Sequence, residues 1–354
     1  MKIGSRNIGP GQPCYIVAEL SANHGQNFDQ AAALIRAMHA SGADAVKVQT
    51  YTADSLTIDS RREPFVVTGG TLWDGRTLHE LYQEAAMPWE WQPRLQALAL
   101  ELGMDFFSTP FDAAAVAFLE EMRVPVHKIA SFELIDLPLL RQVAITRKPI
   151  IMSTGMATVD EIEEALGTLR AAGSGPVALL KCTSAYPAPV EEMHLRTIPD
   201  MVRRFGVPIG LSDHSPGHTA AVVAVALGAC ILEKHFTLSR AIPGPDSAFS
   251  MEPQEFRALV DAVRQAEQAL GRVNYTVSAK ETASRALRRS LFVVRDVEAG
   301  DKLTADNVRC IRPGHGLHPR HLDEVLGSIA AQAIAAGTPL DWSLLVRRAN
   351  AEAR

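Results

Sequence analysis

The sequence predicts an α/β protein, a (β/α)8 barrel followed by a small β-rich domain. Three observations predict it. Eight short apolar runs alternate with helical patterns up to Gly271, nearly every run finishes in polar residues, and the pattern changes beyond that glycine. At 354 residues the chain is long enough for more than one domain.

The strand candidates are Tyr15–Leu20, Ala45–Thr50, Asp105–Thr109, Val126–Ser131, Ile150–Thr154, Val177–Thr183, Ile209–His214 and Ile231–Phe236. Most are rich in Val, Ile, Leu or Phe, as strands covered on both faces should be. Between them lie helical faces. Ala31, Leu34, Ile35 and Met38 follow the i, i+3, i+4, i+7 spacing, with Gly42 as a stop. Phe256, Leu259, Val260 and Val263 repeat it, with Pro253 near the start, and Ala165, Leu166 and Leu169 give a third face. Eight such units over about 250 residues match a TIM-type barrel. An open doubly wound sheet is disfavoured, because no GxGxxG follows the first strand.

One connection is long. Tyr51–Met87, with Gly69-Gly70 and Leu72-Trp73-Asp74, is either a lid or specificity loop, or an excursion that plugs one end of the barrel. The expected domains are residues 1–272, a polar linker 273–288 without apolar periodicity, and a β-rich unit 289–354. A unit of about 65 residues is near the lower limit for independent stability, so it should lean on its own barrel or on a neighbouring chain.

Composition excludes several classes. A net charge of −5 argues against nucleic acid or an anionic membrane as partner. Cys14, Cys182, Cys230 and Cys310 are far apart and form no CxxC pair, so neither a disulfide framework nor a zinc knuckle is implied. The start of the chain lacks a signal-type apolar region and no run reaches transmembrane length, so the expected location is the cytoplasm.

The polar strand ends carry the chemistry. In a barrel the active site lies at the C-terminal ends of the strands. Gathered there are Glu19 with Asn23 and His24, Lys47 and Gln49, Ser108 and Thr109, Lys128 and Ser131, Ser153 and Thr154, Lys181 and Thr183 followed by Ser184 and Tyr186, Ser212 and His214, and Glu233 and His235. Single Ser or Thr residues are ordinary core polars, but Lys and Glu are almost never fully buried unless paired. Lysines with hydroxyls make an anion pocket, which points to a phosphate or carboxylate substrate. His214 and His235, on adjacent strands, are candidate ligands of one divalent ion whose shell water and substrate would complete. Arg312, before Pro313-Gly314, stands at a turn from which a guanidinium could reach another site. His315, His318 and His321 have no chelating spacing and read as a solvated loop.

Several motifs resemble the sialic acid synthase family. They are Glu19-Leu-Ser-Ala-Asn23-His24, Lys47-Val-Gln49-Thr, Phe107-Ser-Thr-Pro-Phe111, His127-Lys128-Ile-Ala-Ser131, Ser153-Thr-Gly-Met156, Lys181-Cys-Thr-Ser-Ala-Tyr186-Pro, Leu211-Ser-Asp-His214 and Glu233-Lys-His235-Phe. The tail resembles that family's antifreeze-like (SAF) domain. Thr50-Tyr-Thr-Ala-Asp-Ser-Leu-Thr57, Gly70-Thr-Leu-Trp73-Asp74 and Gly314-His-Gly-Leu-His318-Pro are most similar to its pseudaminic branch. Ser184 stands where sialic acid synthases usually carry Asn, which favours the same branch.

The resemblance implies condensation of phosphoenolpyruvate with an open-chain amino-sugar aldehyde, assisted by Mn²⁺, Mg²⁺ or Co²⁺. For the pseudaminic branch the sugar is 2,4-diacetamido-2,4,6-trideoxy-L-altrose. N-acetylneuraminate or legionaminate synthesis is the alternative, and a non-catalytic carbohydrate-binding protein is the rival from another class. By resemblance, Lys128, Thr109, Ser131, Ser153 and Ser212 would cradle the phosphate. Lys47 and Gln49 would hold the carboxylate or aldehyde end, and Glu19 and Asp246 the sugar hydroxyls. Ser184 and Tyr186 would lie near phosphoenolpyruvate, and His214 and His235 would bind the metal. A homodimer is also implied, each SAF domain capping the partner's barrel and offering Arg312 to the sugar.

Overall fold

The computed structural model describes residues 1–68, 70 and 73–346. Gly69, Thr71, Leu72 and the chain from 347 onward, which include part of the expected loop motif and the end of the expected C-terminal unit, lie outside the described residues. The chain divides into two compact units, the first Met1–Gly271 and the second beginning at Arg272.

The first unit is a closed barrel of eight parallel strands. They are β1 (Tyr15–Glu19), β2 (Ala45–Thr50), β3 (Asp105–Pro110), β4 (His127–Ile129), β5 (Ile150–Ser153), β6 (Val177–Cys182), β7 (Ile209–Asp213) and β8 (Ile231–His235), and β8 closes on β1. All eight expected strands are present, most a residue shorter at the C-terminal end, where the chain already turns into its loop. The outer helices are α1 (Phe28–Ala40), α2 (Gln92–Glu101), α3 (Ala113–Glu121), α4 (Leu137–Ala144), α5 (Val159–Ala171), α6 (Thr197–Phe205), α7 (Thr219–Ala226) and α8 (Pro253–Leu270). The apolar faces read from the sequence are the buried ones: Ala31, Leu34, Ile35 and Met38 on α1, and Phe256, Leu259, Val260 and Val263 on α8. Asn27 caps α1, Asp112 caps α3 and Thr158 caps α5, each side chain accepting from a backbone N–H three residues on.

Strand parity divides the core. Ile16, Val46, Phe106, Ile129 and Met152 point outward under the helices. Tyr15, Val17, Ala45, Phe107, Ile151, Ala178, Leu180 and Ile231 fill the interior. Each large apolar side chain buried there contributes about 1.5–3 kcal/mol. An N-terminal hairpin, Lys2–Ile3 against Arg6–Asn7, was not foreseen; its Ile3 and the following Ile8 join the interior cluster and close the N-terminal end. Gly210 has its own reason. A Cβ there would lie 2.5 Å from both the Ile231 carbonyl oxygen and Leu180 Cδ2, so only glycine lets β7 and β8 approach across that side chain.

With the lower barrel filled by apolar residues, the polar ones are left at the C-terminal end. The long β2–α2 connection carries two short helices, Ala53–Leu56 and Leu78–Ala85, capped by Thr52 and Thr77.

The second unit is built from short antiparallel pairs, β9 (Ser290–Val293) with β10 (Val308–Ile311) and β11 (Ile329–Ala330) with β12 (Leu345–Val346). Its own core contains Leu291, Val293, Leu303, Val308, Val325 and Leu340. Before it, where the sequence reads as linker, Ser278 caps a helix α9 (Ala279–Arg285) with no buried residue. Capping alone explains a helix without an apolar face. Among the described residues no helix is long and apolar enough to cross a membrane.

Candidate active site

A cavity of about 400 Å³ opens at the C-terminal end of the barrel. Its floor is made of inward-facing strand residues: Lys47 and Gln49 from β2, Lys128 from β4, Ser153 from β5, Cys182 from β6, Ser212 from β7, and Glu233 and His235 from β8. The loops add Ser21, Ser131, Tyr186, His214, Asp246 and Phe249. The β2–α2 connection supplies one flank through Val67, Trp73, Leu78, Leu81, Tyr82 and Ala85, so this excursion forms part of the cavity wall. Trp73 Nε1 donates to the Pro245 carbonyl at 3.2 Å and ties that flank to the β8 loop.

The floor holds a chain of charge and hydrogen bonds. Lys47 Nζ lies 3.0 Å from Glu19 Oε2 and 3.3 Å from Glu233 Oε1. Ser212 donates to Glu233 Oε1 at 3.1 Å. Gln49 Nε2 donates to Glu19 Oε1 at 3.0 Å and to Ser21 Oγ at 3.1 Å, and Ser21 Oγ donates to Asp246 Oδ2. Ser21 has φ of 48°, a costly conformation for a non-glycine residue, and the hydroxyl it aims joins Gln49 to Asp246. Lys128 Nζ donates to Ser153 Oγ at 2.6 Å and to the Ile129 carbonyl at 2.9 Å.

Electrostatics separate the two lysines. Burial pulls on Lys47, but Glu19 and Glu233 outweigh it and hold the ammonium above the usual lysine range. Lys128 is equally enclosed and its nearest carboxylate oxygen, Glu233 Oε1, is 4.0 Å away. Burial there wins and lowers Lys128 to about 8. Burial pushes Glu19 up, while for Glu233 the pull of Lys128 and Lys47 wins and keeps its carboxyl below the usual range. Burial also raises Asp246.

Whether the two histidines suit a metal can be judged from their surroundings. Their ring centroids are 5.4 Å apart. His214 Nδ1 lies 3.0 Å from the Thr183 carbonyl, which only accepts, so Nδ1 carries a proton and Nε2 is the nitrogen left to meet an ion. Burial pulls this imidazole down, but Cys182 and the Thr183 carbonyl outweigh it and raise His214 above the usual histidine range. His235 Nδ1 is buried and has no partner, and burial holds this imidazole neutral, far below the usual range. Tyr186 packs against both rings, its centroid 4.3 Å from that of His214, and Phe249 packs against His235 and Tyr186. Among the described residues no group of three His, Cys, Asp or Glu is arranged to hold a metal ion. Two imidazoles on adjacent strands, His235 held neutral and His214 able to bind through Nε2 on giving up a proton, suit an ion that takes its remaining ligands from water and substrate.

Not every expected residue lies at the cavity. Thr109, the register partner of Gln49, is buried with its hydroxyl unpartnered and does not line the cavity. Ser184 packs against Cys182 at 3.7 Å and does not line the cavity. Lys181 points away: parity on β6 turns Ala178, Leu180 and Cys182 inward, and Lys181 Nζ bonds the Cys182 carbonyl and Thr183. His24 donates from Nε2 to the Ala85 carbonyl at 3.2 Å while Nδ1 accepts from Gln26, and burial lowers it to about 4, so it is a neutral core histidine. Asn23 ties the Phe236 carbonyl to Ser250. Arg312 is exposed at the end of β10 in the second unit.

The NeuB family model matches residues 34–275, and an SAF domain model matches residues 288–346. The chain belongs to the NeuB family. It is 44% identical to the pseudaminic acid synthase of Helicobacter pylori over 330 residues, 93% of this chain and 97% of that one. It is 35% identical to the N,N'-diacetyllegionaminic acid synthase of Legionella pneumophila, covering 96% of each. The crystal structure of N-acetylneuraminic acid synthetase from Leptospira borgpetersenii, in complex with citrate, superposes with a TM-score of 0.71 at 30% identity, over 80% of this chain and 94% of that one.

In this NeuB chain, sequence reasoning missed Ser21, Cys182, Phe249 and the apolar flank of the β2–α2 connection. Outside the cavity lining, next to Phe132, the half-buried Glu133 has an Oε2 without a hydrogen-bond partner, and burial raises this carboxyl to about 7. Cys182 was legible through strand parity. The others come from loops and carry no local signature.

Proposed function

We propose that the chain is a pseudaminic acid synthase, an enzyme that condenses phosphoenolpyruvate with 2,4-diacetamido-2,4,6-trideoxy-L-altrose and water to give pseudaminic acid and phosphate. The observation that carries this reading is 44% identity over nearly the full length of a synthase of that name, in a chain whose cavity is lined by Lys128, His214 and His235. The lower identity to the legionaminic acid synthase favours the altrose derivative as the sugar.

Lys128, assisted by Ser153, Ser131 and Ser212, receives the phosphate. Its ammonium is the cavity cation not already committed to carboxylates at contact distance. Gln49 and Asp246 face the sugar hydroxyls, and Glu19, fully buried and outside the cavity lining, supports Gln49 from behind. Tyr186 and the β2–α2 flank cover the reactants, and Lys47 holds Glu19 and Glu233 in place. C3 of phosphoenolpyruvate forms the new bond to the aldehyde carbon, whose oxygen takes up a proton. Water adds to C2 and gives up a proton, and the tetrahedral adduct expels phosphate by breaking its C2–O bond. One proton is taken up and one released, so the cavity shuttles protons without net consumption. Bringing both reactants into one cavity is worth an effective molarity of about 10⁵–10⁸ M.

His214 and His235 would hold a divalent cation, Mn²⁺, Mg²⁺ or Co²⁺. When bound it supplies Lewis-acid polarisation of the aldehyde. The reading extends to a cytoplasmic homodimer in which the SAF unit of one chain caps the other's barrel, with Arg312 of the partner subunit reaching the sugar. Phe132, Ile135 and Met156, in the loops after β4 and β5, are 60–65% exposed, an apolar surface suited to such a cover.

The test is phosphate release from phosphoenolpyruvate with the altrose derivative, N-acetylmannosamine and the legionaminic precursor side by side. Preference for the altrose derivative is expected. Preference for another sugar would move the chain to a different branch, and no release with any would overturn the enzymatic reading.

A further inference from the structure

The two strands that carry the histidines are bolted together from behind. Asp213 and Lys234 are register partners on β7 and β8. Each immediately neighbours a cavity histidine, Asp213 before His214 and Lys234 before His235, so by strand parity both point out of the barrel. Their side chains are 2% and 3% exposed, and Lys234 Nζ lies 2.7 Å from Asp213 Oδ2. The same ammonium donates to the carbonyls of Ser215 and of Gly217, the latter at 3.2 Å. The other carboxylate oxygen, Oδ1, accepts from the Ser215 backbone N–H at 2.9 Å and from its hydroxyl at 2.6 Å. Ser215, the residue after His214, is therefore held by its N–H, its hydroxyl and its carbonyl.

Stability alone is a poor reason for this arrangement. Two charges taken out of water are often no better than a well-packed apolar pair of the same volume. What such a pair supplies is a fixed geometry, and here that geometry spans the two histidines. Within the cavity, His235 Nδ1 has no hydrogen bond to orient its ring, so the imidazole is placed by its strand and by packing against Phe249 and Tyr186. The backbone of His214 leaves β7 directly into the turn that Lys234 clasps.

We propose that the buried Asp213–Lys234 pair is a positioning device for the metal site, fixing the separation and direction of His214 and His235 from the outer face of the barrel. The inference rests on the reading of those two histidines as metal ligands. Neither charged residue touches the reactants.

The experiment is titration of the full-length protein with Mn²⁺ alone, without substrates, followed by electron paramagnetic resonance. Lys234→Met leaves Asp213 unpaired and is open to misfolding, so the decisive variant is the double replacement Asp213→Leu with Lys234→Met, which removes both charges and refills the volume. A folded double variant is expected to bind Mn²⁺ about tenfold to a hundredfold more weakly than the parent, in line with loss of outer partners in metal sites. Wild-type Mn²⁺ affinity in the folded double variant would reduce the pair to scaffolding. If the parent binds no Mn²⁺, or His214→Ala with His235→Ala binds it as well as the parent, the metal reading itself fails and this proposal with it.

Discussion

The ammonium groups of Lys47 and Lys128 converge on one carboxylate oxygen, Oε1 of Glu233, at 3.3 and 4.0 Å. They are not equivalent. Lys47 also holds Glu19 at 3.0 Å and is spent on the two buried carboxylates, whereas the other partners of Lys128 are a neutral hydroxyl and a carbonyl. An incoming phosphate thus meets one available cation.

That difference predicts opposite phenotypes. Lys128→Ala removes charge-assisted hydrogen bonds worth about 1.5–3 kcal/mol, so kcat/KM for phosphoenolpyruvate should fall roughly 10- to 150-fold in a protein that still folds. Lys47→Ala leaves Glu19 and Glu233 without their shared partner. Breaking such a buried pair costs about 3–5 kcal/mol, so this variant should lose stability first. Urea denaturation alongside steady-state kinetics separates the two. Equal destabilisation of both variants would remove the distinction.

The pH profile follows from the same lysine. Burial lowers Lys128 from 10.5 to about 8, so in the free enzyme it loses its proton above that pH. The kcat/KM for phosphoenolpyruvate should be level below about 8 and fall about tenfold per unit above it. Lys128→Arg keeps its charge, so the alkaline fall should vanish even if the rate is lower. Persistence of that limb would assign it to another group. Stability runs the other way. Between about 8 and 10.5 the unfolded chain binds more protons than the native one, so the cost of burying this charge is relieved as pH rises.

Much of this was legible because strands covered on both faces announce themselves as apolar runs, and because Lys, Glu and His at their ends have no ordinary reason to be there. The same continuity hid the parity. On β6 both faces are apolar, so Lys181 was placed at the site for its charge while Cys182, in step with Ala178 and Leu180, is the residue that faces it. Strands of two residues, as in the N-terminal hairpin, are too short to carry a period. Ser21 and Asp246 are 225 residues apart, and only closure of β8 on β1 makes them neighbours.

Gly210 gives a test of the fold itself. Alanine there would place a methyl 2.5 Å from a carbonyl oxygen of β8 and from Leu180. Forced overpacking costs about 1–3 kcal/mol, so Gly210→Ala should lower Tm by several degrees in thermal denaturation. Leu180→Ala in the same chain relieves only the side-chain half of the clash and should restore little. A parent-like Tm for Gly210→Ala would show that β7 and β8 separate easily.

Metal removal should be complete and reversible. Two imidazoles are a sparse ligand set, so the ion should exchange readily. EDTA should reduce turnover to background, and Mn²⁺ added in excess of chelator should restore it. His214→Ala and His235→Ala should each remain inactive at any added Mn²⁺. Full turnover in chelator would exclude a metal role.

The assembly is tested by mixing two inactive chains. If Arg312 of the partner subunit completes each barrel, His214→Ala and Arg312→Ala chains damage different halves of the same composite site. In a mixed dimer one barrel carries both lesions and the other carries neither. With equal chains and free exchange about half of the dimers are mixed, each with one intact site, so activity should recover to about a quarter of the parent value. Activity measured after co-refolding, with exchange confirmed by differently tagged chains, gives the answer. Exchange without recovery would mean that Arg312 serves its own chain or no site at all.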